Sequence, residues 1–312
     1  MEAKPFAAKV PKRTARVEKD DRSAQLRNLD VWVESLRKLC SEGRELSAGV
    51  DEGAFEVCSA AVEPKKENRR AREHVVTAFS QGLMLASASR DLGEALVRTL
   101  EEPILTVGPW SMGRSCLENC ALGVWLLDPT LDSQTRATRS LAFRFSGVDQ
   151  QRKFLNATGS RKKAEICEKR IDHLVSSAAK LNVEAVIDNK GRVAGIGKRM
   201  PAATDLVSDY LDSQGAYRLL SAMVHGHSWA HQQLAFVPVL DENGEPVESE
   251  KQSVVMRSLR KGLRPAAVKY LLVETGRGIW TLHKTVCTLF GLECQALEGA
   301  WLELEKSLRG PT

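Results

Sequence analysis

The segment of residues 110–127 is apolar over most of its circumference and constrains the fold more than any other feature. A helix with apolar residues on all sides has to be buried, so we expect it to be the central helix of a bundle. The segment also carries Arg114 and Glu118, one helical turn apart. Because unpaired buried charges are costly, these two side chains are interpreted as an internal salt bridge or as groups that orient a neighbouring site.

Helical periodicity recurs on both sides of this central segment. Apolar residues step by three and four between positions 26 and 40, which predicts an amphipathic helix. The same reasoning predicts further helices over 69–101, 133–156, 162–181, 203–212, 216–225, 264–290 and 294–308. The pattern indicates an all-α protein.

Three segments interrupt the helical pattern. Residues 183–199 are predicted to form a loop or small hairpin, and residues 234–256 a second β-like excursion in which Pro238 confines one strand to an edge. Residues 47–68 are predicted to be a loop. The expected fold is therefore a helical bundle with a small β-hairpin excursion.

The same sequence patterns predict the domain organisation. Residues 1–22 mix prolines, charges and small residues, and are predicted to be a disordered basic arm. Residues 23–312 are predicted to form one mainly α-helical domain, with N-terminal helices over 23–200 and a C-terminal part over 201–312 that carries the motif described below. The apolar stripe at 26–40 is interpreted as an exposed contact for a dimer.

Composition excludes several classes of protein. The longest apolar run, Cys120–Leu127, is far too short to span a bilayer, and the charged first residues lack a secretory signal, so no membrane association is expected. Seven cysteines without a C-x-x-C pair indicate reduced thiols and a cytoplasmic protein. No nucleotide-binding or metal-ligand motif is present in the sequence, so neither a cofactor nor a metal is expected.

Positive charge is concentrated locally rather than spread over the chain. The net charge is +5, of which residues 1–16 supply +4. Residues 136–170 contain ten basic and three acidic side chains, a local charge of +7. A basic stretch of this kind is either a solvated helix face or a surface that binds phosphates.

Arg218 and His225 are the strongest candidates for chemistry. They lie seven residues apart, so on a helix they share a face, with Ser221 between them. Gly226 is expected to end that helix and leave His225 in its last turn. An imidazole can exchange a proton with a ribose hydroxyl, and a guanidinium can hold a phosphate through two hydrogen bonds, a pair suited to RNA cleavage without a metal.

An arginine followed after four to six residues by a histidine, on a helix of an α-bundle, resembles the signature of the HEPN superfamily. The match consists of Arg218, six intervening residues and His225, within a Tyr-Arg-x-x-Ser-x-x-x-His-Gly stretch. The resemblance implies a metal-independent endoribonuclease of the toxin or phage-defence type, acting on RNA as a homodimer, with an antitoxin or regulatory protein as a further partner.

The resemblance and the residue pattern together assign roles to ten side chains. Arg218 and His225 are expected to be catalytic. The groups expected to support them are Tyr217, Ser221, His227, Arg114 and Glu118. The groups expected to bind the RNA backbone are Arg136, Arg139 and Arg144.

Alternatives remain at this point. Arg277 and His283 have a permitted spacing and compete with Arg218 and His225, whereas Arg69 and His74 are interpreted as a solvated helix start. Leu219 follows Arg218 where nucleases of the family commonly carry a polar residue. The second functional hypothesis is a non-catalytic helical module that dimerises and binds a partner or effector.

Overall fold

The structure is a computed structural model that describes residues 14–48, 58–101, 105–234, 236–238, 259–261 and 265–309. Most of these residues are helical, and the elements in chain order are α1 (Thr14–Ala48), α2 (Ser59–Lys66), α3 (Arg69–Thr99), α4 (Gly108–Leu127), α5 (Ser133–Ala157), α6 (Arg161–Ala179), β1 (Ala185–Ile187), β2 (Val193–Ile196), α7 (Ala203–Leu211), α8 (Gln214–Val224), α9 (Ser228–Leu234), β3 (Phe236–Pro238), β4 (Leu259–Lys261), α10 (Pro265–Phe290) and α11 (Gln295–Arg309). The fold is an all-α bundle with small β-hairpins, as the sequence predicts.

Helix α4 is the central helix, which confirms the interpretation of its apolar circumference. It packs against α3, α10, α7 and α8. The contact with α3 is close, because a Cβ on Gly82 of α3 would lie 2.3 Å from the side chain of Leu127. Since only glycine leaves room there, α3 and α4 approach each other more closely than two helices with larger side chains at the contact.

The apolar stripe of α1 is buried inside the bundle, so its interpretation as an exposed dimer contact was wrong. Leu36 and Cys40 are fully buried, and α1 packs along α11 and α10. The indole Nε1 of Trp32 donates a hydrogen bond of 3.0 Å to the carbonyl oxygen of Ser307 in α11. The last helix of the chain therefore covers the stripe, a pairing that local periodicity does not reveal.

Two boundaries differ from the predictions. Helix α1 begins at Thr14, inside the predicted disordered arm of residues 1–22, while residues 1–13 lie outside the described ranges. Both prolines of the arm precede Thr14, and the residues that follow favour helix, so α1 can extend backwards from its packed part. The predicted loop of residues 47–68 contains α2, where Ala60 and Pro64, one turn apart, are buried.

The β-structure consists of two antiparallel pairs. Strands β1 and β2 form the hairpin predicted within residues 183–199, and the carboxylate of Asp188 accepts backbone hydrogen bonds from Lys190 and Arg192 in its turn. Strands β3 and β4 also pair. Residues 239–256 of the predicted second excursion lie outside the described residues. In the described ranges, no helix combines the length and apolarity needed to cross a bilayer.

His283 lies in the core and makes stability depend on pH. Its Nδ1 contacts the carbonyl oxygen of Ile279 at 2.8 Å, Nε2 has no hydrogen-bond partner among the described residues, and burial lowers the imidazole pKa to about 4. The unfolded chain binds a proton near pH 6.5, so stability is complete above that value and falls as the pH drops toward 4. We expect this histidine to cost about 3 kcal/mol of unfolding free energy across that window.

Urea unfolding of the wild type and His283→Gln at pH 7, 5.5 and 4.5 tests this expectation. The glutamine variant should lose less stability than the wild type as the pH falls, because it lacks the titrating imidazole. Parallel pH dependences of the two proteins would show that His283 does not cause the effect.

Candidate functional site

The candidate site forms where α8 crosses the N-terminal half of α4. Helix α8 buries Ala216, Leu220 and Met223 against the bundle and ends at His225. Gly226 has a φ of 73°, while the amides of Gly226 and His227 donate to the carbonyls of Met223 and Ala222. This arrangement is a Schellman motif, which confirms that Gly226 ends the helix and holds His225 at its C-cap.

Four side chains converge at this crossing, and we call them the Arg114 cluster: Arg114, Glu118, Tyr217 and His225. Nε of Arg114 donates to Oε1 of Glu118 at 3.0 Å, and Nη2 lies 3.4 Å from the hydroxyl of Tyr217. That hydroxyl donates to the same carboxylate oxygen at 2.6 Å. Nη1 of Arg114 lies 3.3 Å from Nε2 of His225. Arg114 and Glu118 therefore form the salt bridge of one interpretation, and they also face the helix that ends at His225, as the other interpretation requires.

The contact between Arg114 and His225 has a definite hydrogen-bond direction. A guanidinium has donors only, so Nε2 of His225 is the acceptor in this contact. Burial opposes the charge of Arg114, but the hydrogen bond to Tyr217 and the charge of Glu118 outweigh it and raise the arginine pKa. Burial and the bond to Glu118 likewise raise the pKa of the Tyr217 phenol. The cluster thus joins a permanent cation to an imidazole that accepts one of its hydrogen bonds.

The cluster is open to solvent on the side of His225. His225 is exposed, whereas the side chains of Arg114 and Glu118 are 22% and 35% exposed. The three hydrogen bonds of Arg114 within the described structure use three of its five N–H groups. One N–H group on each terminal nitrogen has no hydrogen-bond partner among the described residues, and two such groups of one guanidinium can hold two oxygens of a phosphate.

The guanidinium that contacts His225 is thus supplied by α4 rather than by Arg218. Arg218 is exposed, and within the described part of the chain no hydrogen bond or ion pair joins it to the cluster. Ser221 contributes through its backbone, because its carbonyl oxygen accepts the amide of His225 at 3.0 Å. His227 is exposed beyond the helix end.

Two of the three arginines predicted to bind RNA are engaged inside the protein. Arg136 is 1% exposed and pairs with Glu63 at 2.9 Å, so its assignment to an RNA surface was wrong. Arg139 donates to the carbonyl of Trp125 and to the hydroxyl of Tyr210, which likewise ties it to α4 and α7. Both point inward from α5. Arg144 is half-buried and lines a groove between α5 and α6.

The histidines of the competing arginine–histidine pairs are buried. His283 is 2% exposed, and Arg277 instead pairs with Glu274 at 3.4 Å. His74 is buried rather than part of a solvated helix start, because the first turns of α3 pack against α5. Among the described side chains, no three His, Cys, Asp or Glu residues lie close enough together to hold a metal ion.

We expect Tyr217→Phe to weaken the crossing of α4 and α8. The substitution removes the hydroxyl that donates to Glu118 and accepts from Arg114, and a hydrogen bond to a charged group contributes about 1.5–3 kcal/mol. Urea unfolding should therefore show a loss of this order. Tyr270→Phe is the matched control, since the half-exposed Tyr270 hydroxyl makes no hydrogen bond within the described residues. Equal losses in the two variants would contradict the role of Tyr217.

Comparison with known proteins identifies no relative. No family model matches the chain, and neither the curated proteins nor the solved structures give a significant match. The resemblance to the HEPN superfamily therefore remains a prediction from the residues around Arg218 and His225.

Proposed function

We propose that the protein is an endoribonuclease that cleaves RNA at the Arg114 cluster without a metal ion. The observation that supports this most is the 3.3 Å contact between Nη1 of Arg114 and Nε2 of the exposed His225. A permanent cation and an imidazole at one solvent-facing point are the two groups that transesterification of RNA uses. The resemblance to HEPN nucleases points to the same reaction.

In the proposed reaction, a phosphate of the RNA binds the remaining N–H groups of Arg114 and displaces its contact with His225. Nε2 of His225 is then free to take the proton of the ribose 2′-hydroxyl. The 2′-oxygen attacks the phosphorus, the bond to the 5′-oxygen breaks, and the imidazolium returns the proton to that oxygen. The products are a 2′,3′-cyclic phosphate and a 5′-hydroxyl.

Glu118 and Tyr217 position Arg114 in this proposal. The carboxylate holds Nε, and the phenol bridges the carboxylate and Nη2. The guanidinium plane is therefore fixed before substrate binds, and a donor held in place stabilises developing charge more than a mobile one. Neither residue exchanges protons with the substrate.

The activity is tested with purified protein, single-stranded RNA and excess EDTA. We expect cleavage products with cyclic phosphate ends, and none from a matched DNA strand, which lacks the 2′-hydroxyl. Intact RNA at high protein concentration would overturn the nuclease and favour the non-catalytic helical module. Equal cleavage of the DNA strand would overturn the proposed chemistry.

The identity of the phosphate-binding arginine gives a separate prediction. Arg114→Lys keeps the charge but loses the two-pronged geometry, so kcat/KM should fall about 100-fold. Arg218→Lys should change kcat/KM less than about threefold, because the exposed Arg218 has no contact with His225. The reverse order of effects would restore Arg218 as the catalytic arginine.

The HEPN resemblance also leads us to propose a homodimer, with toxin or defence activity in the cell. Sedimentation equilibrium of the full chain measures the oligomeric state. Growth arrest on overexpression of the wild type, and normal growth with His225→Ala, would support the toxin or defence activity.

A further inference from the structure

A groove between α5 and α6 combines an apolar floor with basic walls. Its volume is about 450 Å³, and its floor includes Val148 and Leu174. The basic groups that line the groove are Arg144, Lys169, Arg170 and His173. No carboxylate lines it within the described structure. Lys169, Arg170 and His173 are exposed, so a ligand can reach them.

A buried imidazole lies within electrostatic reach of this groove. His74, on α3, is 6% exposed, and its Nδ1 has no hydrogen-bond partner among the described residues. Burial lowers its pKa, and the positive charges of Arg144 and His173 lower it further against the opposing charge of Glu73. Helices α5 and α6 thus bring basic groups together with no carboxylate among the described lining residues, which favours an anionic ligand.

The basic character continues beyond the groove along the hairpin of α5 and α6. Residues 151–170 carry seven basic and two acidic side chains. Asp149 neutralises part of this charge through Arg152 and Lys153, each at 2.7 Å. Arg161, Lys162 and Lys163 are exposed at the start of α6. Because the basic side chains extend beyond the groove, this surface can bind a polymer of phosphates better than one small anion.

We propose that the groove binds the phosphate backbone of an RNA strand whose scissile bond lies at the Arg114 cluster. The four basic side chains contact phosphates, and the apolar floor accepts sugar or base surface. Gln151 supports this role, because its amide oxygen accepts Nη1 of Arg170 at 3.0 Å and orients that guanidinium. The proposal rests on the proposed nuclease function, but it is tested without cleavage.

The separation of the two sites predicts a dependence on RNA length. Helices α3 and α4 are antiparallel, because Gly82 faces Leu127 whereas Ser89 accepts from Cys116. At a helical rise of about 1.5 Å per residue, His74 lies about 30 Å along these axes from Arg114. A strand rises about 3.4 Å per nucleotide, so a dinucleotide reaches one site only, whereas a 20-nucleotide strand can reach both.

The first test measures binding alone. His225→Gln prevents proton transfer, and fluorescence anisotropy gives the affinity of a labelled 20-nucleotide RNA at several salt concentrations. Adding Arg144→Gln or Lys169→Gln should weaken binding and lower the salt slope by about 0.7 for each phosphate that the protein no longer neutralises. Lys306→Gln, an exposed lysine on α11, is the matched control and should leave the slope unchanged.

The second test separates the groove from the cleavage site. In the otherwise wild-type chain, replacing the exposed Lys169 of the groove with glutamine should raise KM for the 20-nucleotide RNA by about tenfold and leave cleavage of a dinucleotide unchanged. An equal loss on both substrates would overturn the groove as a separate site. If the wild type cleaves neither substrate, the nuclease proposal fails while the binding test still decides the groove. Binding of polyglutamate as tight as that of RNA, or an unchanged salt slope, would overturn the groove proposal itself.

Discussion

Replacing His225 with glutamine should reduce RNA cleavage by about a thousandfold while the fold stays intact. Glutamine can still accept a hydrogen bond from Arg114, so the link between α4 and α8 is kept. It cannot exchange a proton with the 2′-hydroxyl, and general acid–base catalysis contributes about 10²–10⁴ to a rate. The measurement is kcat/KM on a dinucleotide, which avoids any contribution from distant binding contacts.

Two comparisons make this experiment decisive. Thermal unfolding of His225→Gln should match that of the wild type, which shows that the reduced activity does not come from a disrupted fold. Lys306→Gln, purified in the same way, should keep full activity, because the exposed Lys306 lies on α11, which packs on α1 and α10 rather than on α4 or α8. Retained cleavage in the glutamine variant would show that His225 does not transfer the proton, or that a contaminating nuclease is present.

The sequence predicted the helices well because their signals are local. The apolar circumference of α4 led to its central position, and Gly226 predicted where α8 ends. These features depend on residues within one or two turns of each other. The predicted loop was wrong at α2, because burial of Ala60 and Pro64 against the bundle, rather than local propensity, stabilises a helix there.

The candidate site was predicted only in part, because its central contact is not local. Arg114 and His225 are 111 residues apart in the chain. Spacing within one helix favoured Arg218 as the partner of His225, since both share a face of α8. The sequence did contain one signal for this contact, which is the charged Arg114 within an apolar helix. A charge in a buried helix requires partners, and a neighbouring helix supplies them.

Charge counting misassigned the RNA surface for a related reason. The stretch of residues 136–170 is basic in sequence, but its side chains point in different directions from the two helices. Arg136 lies in line with Ser140 and next to Ala137, both buried, so helical phase marks it as an inward residue. Lys169 and Arg170 lie on the exposed side of α6. The position of each residue around its helix, in addition to its charge, therefore distinguishes the inward Arg136 from the exposed Lys169 and Arg170.

Arg136→Ala should therefore act on stability. The guanidinium contacts Glu63, stacks over the ring of Phe79 at 4.9 Å, and donates to the carbonyls of Leu126 and Asp128 at 3.2 and 3.3 Å. The two carbonyls belong to the end of α4, where helical oxygens lack partners. Alanine leaves these oxygens and a carboxylate without their partner, so we expect a loss of about 3–5 kcal/mol in unfolding free energy.

Two further variants establish the reason for that loss. Arg136→Lys should also destabilise the fold substantially, because an ammonium keeps the charge but lacks the planar fork that reaches the carboxylate of Glu63 and both carbonyls. Arg44→Ala removes an exposed ion pair to Glu94 and should cost less than about 1 kcal/mol. Urea unfolding measures the loss of stability in all three variants. Fluorescence anisotropy with labelled RNA, under conditions in which Arg136→Ala is folded, should give the affinity of the wild type. An arginine whose hydrogen bonds close the end of the central helix cannot be removed without destabilising that helix. A stable Arg136→Ala protein with weakened RNA binding would therefore show that Arg136 binds RNA instead.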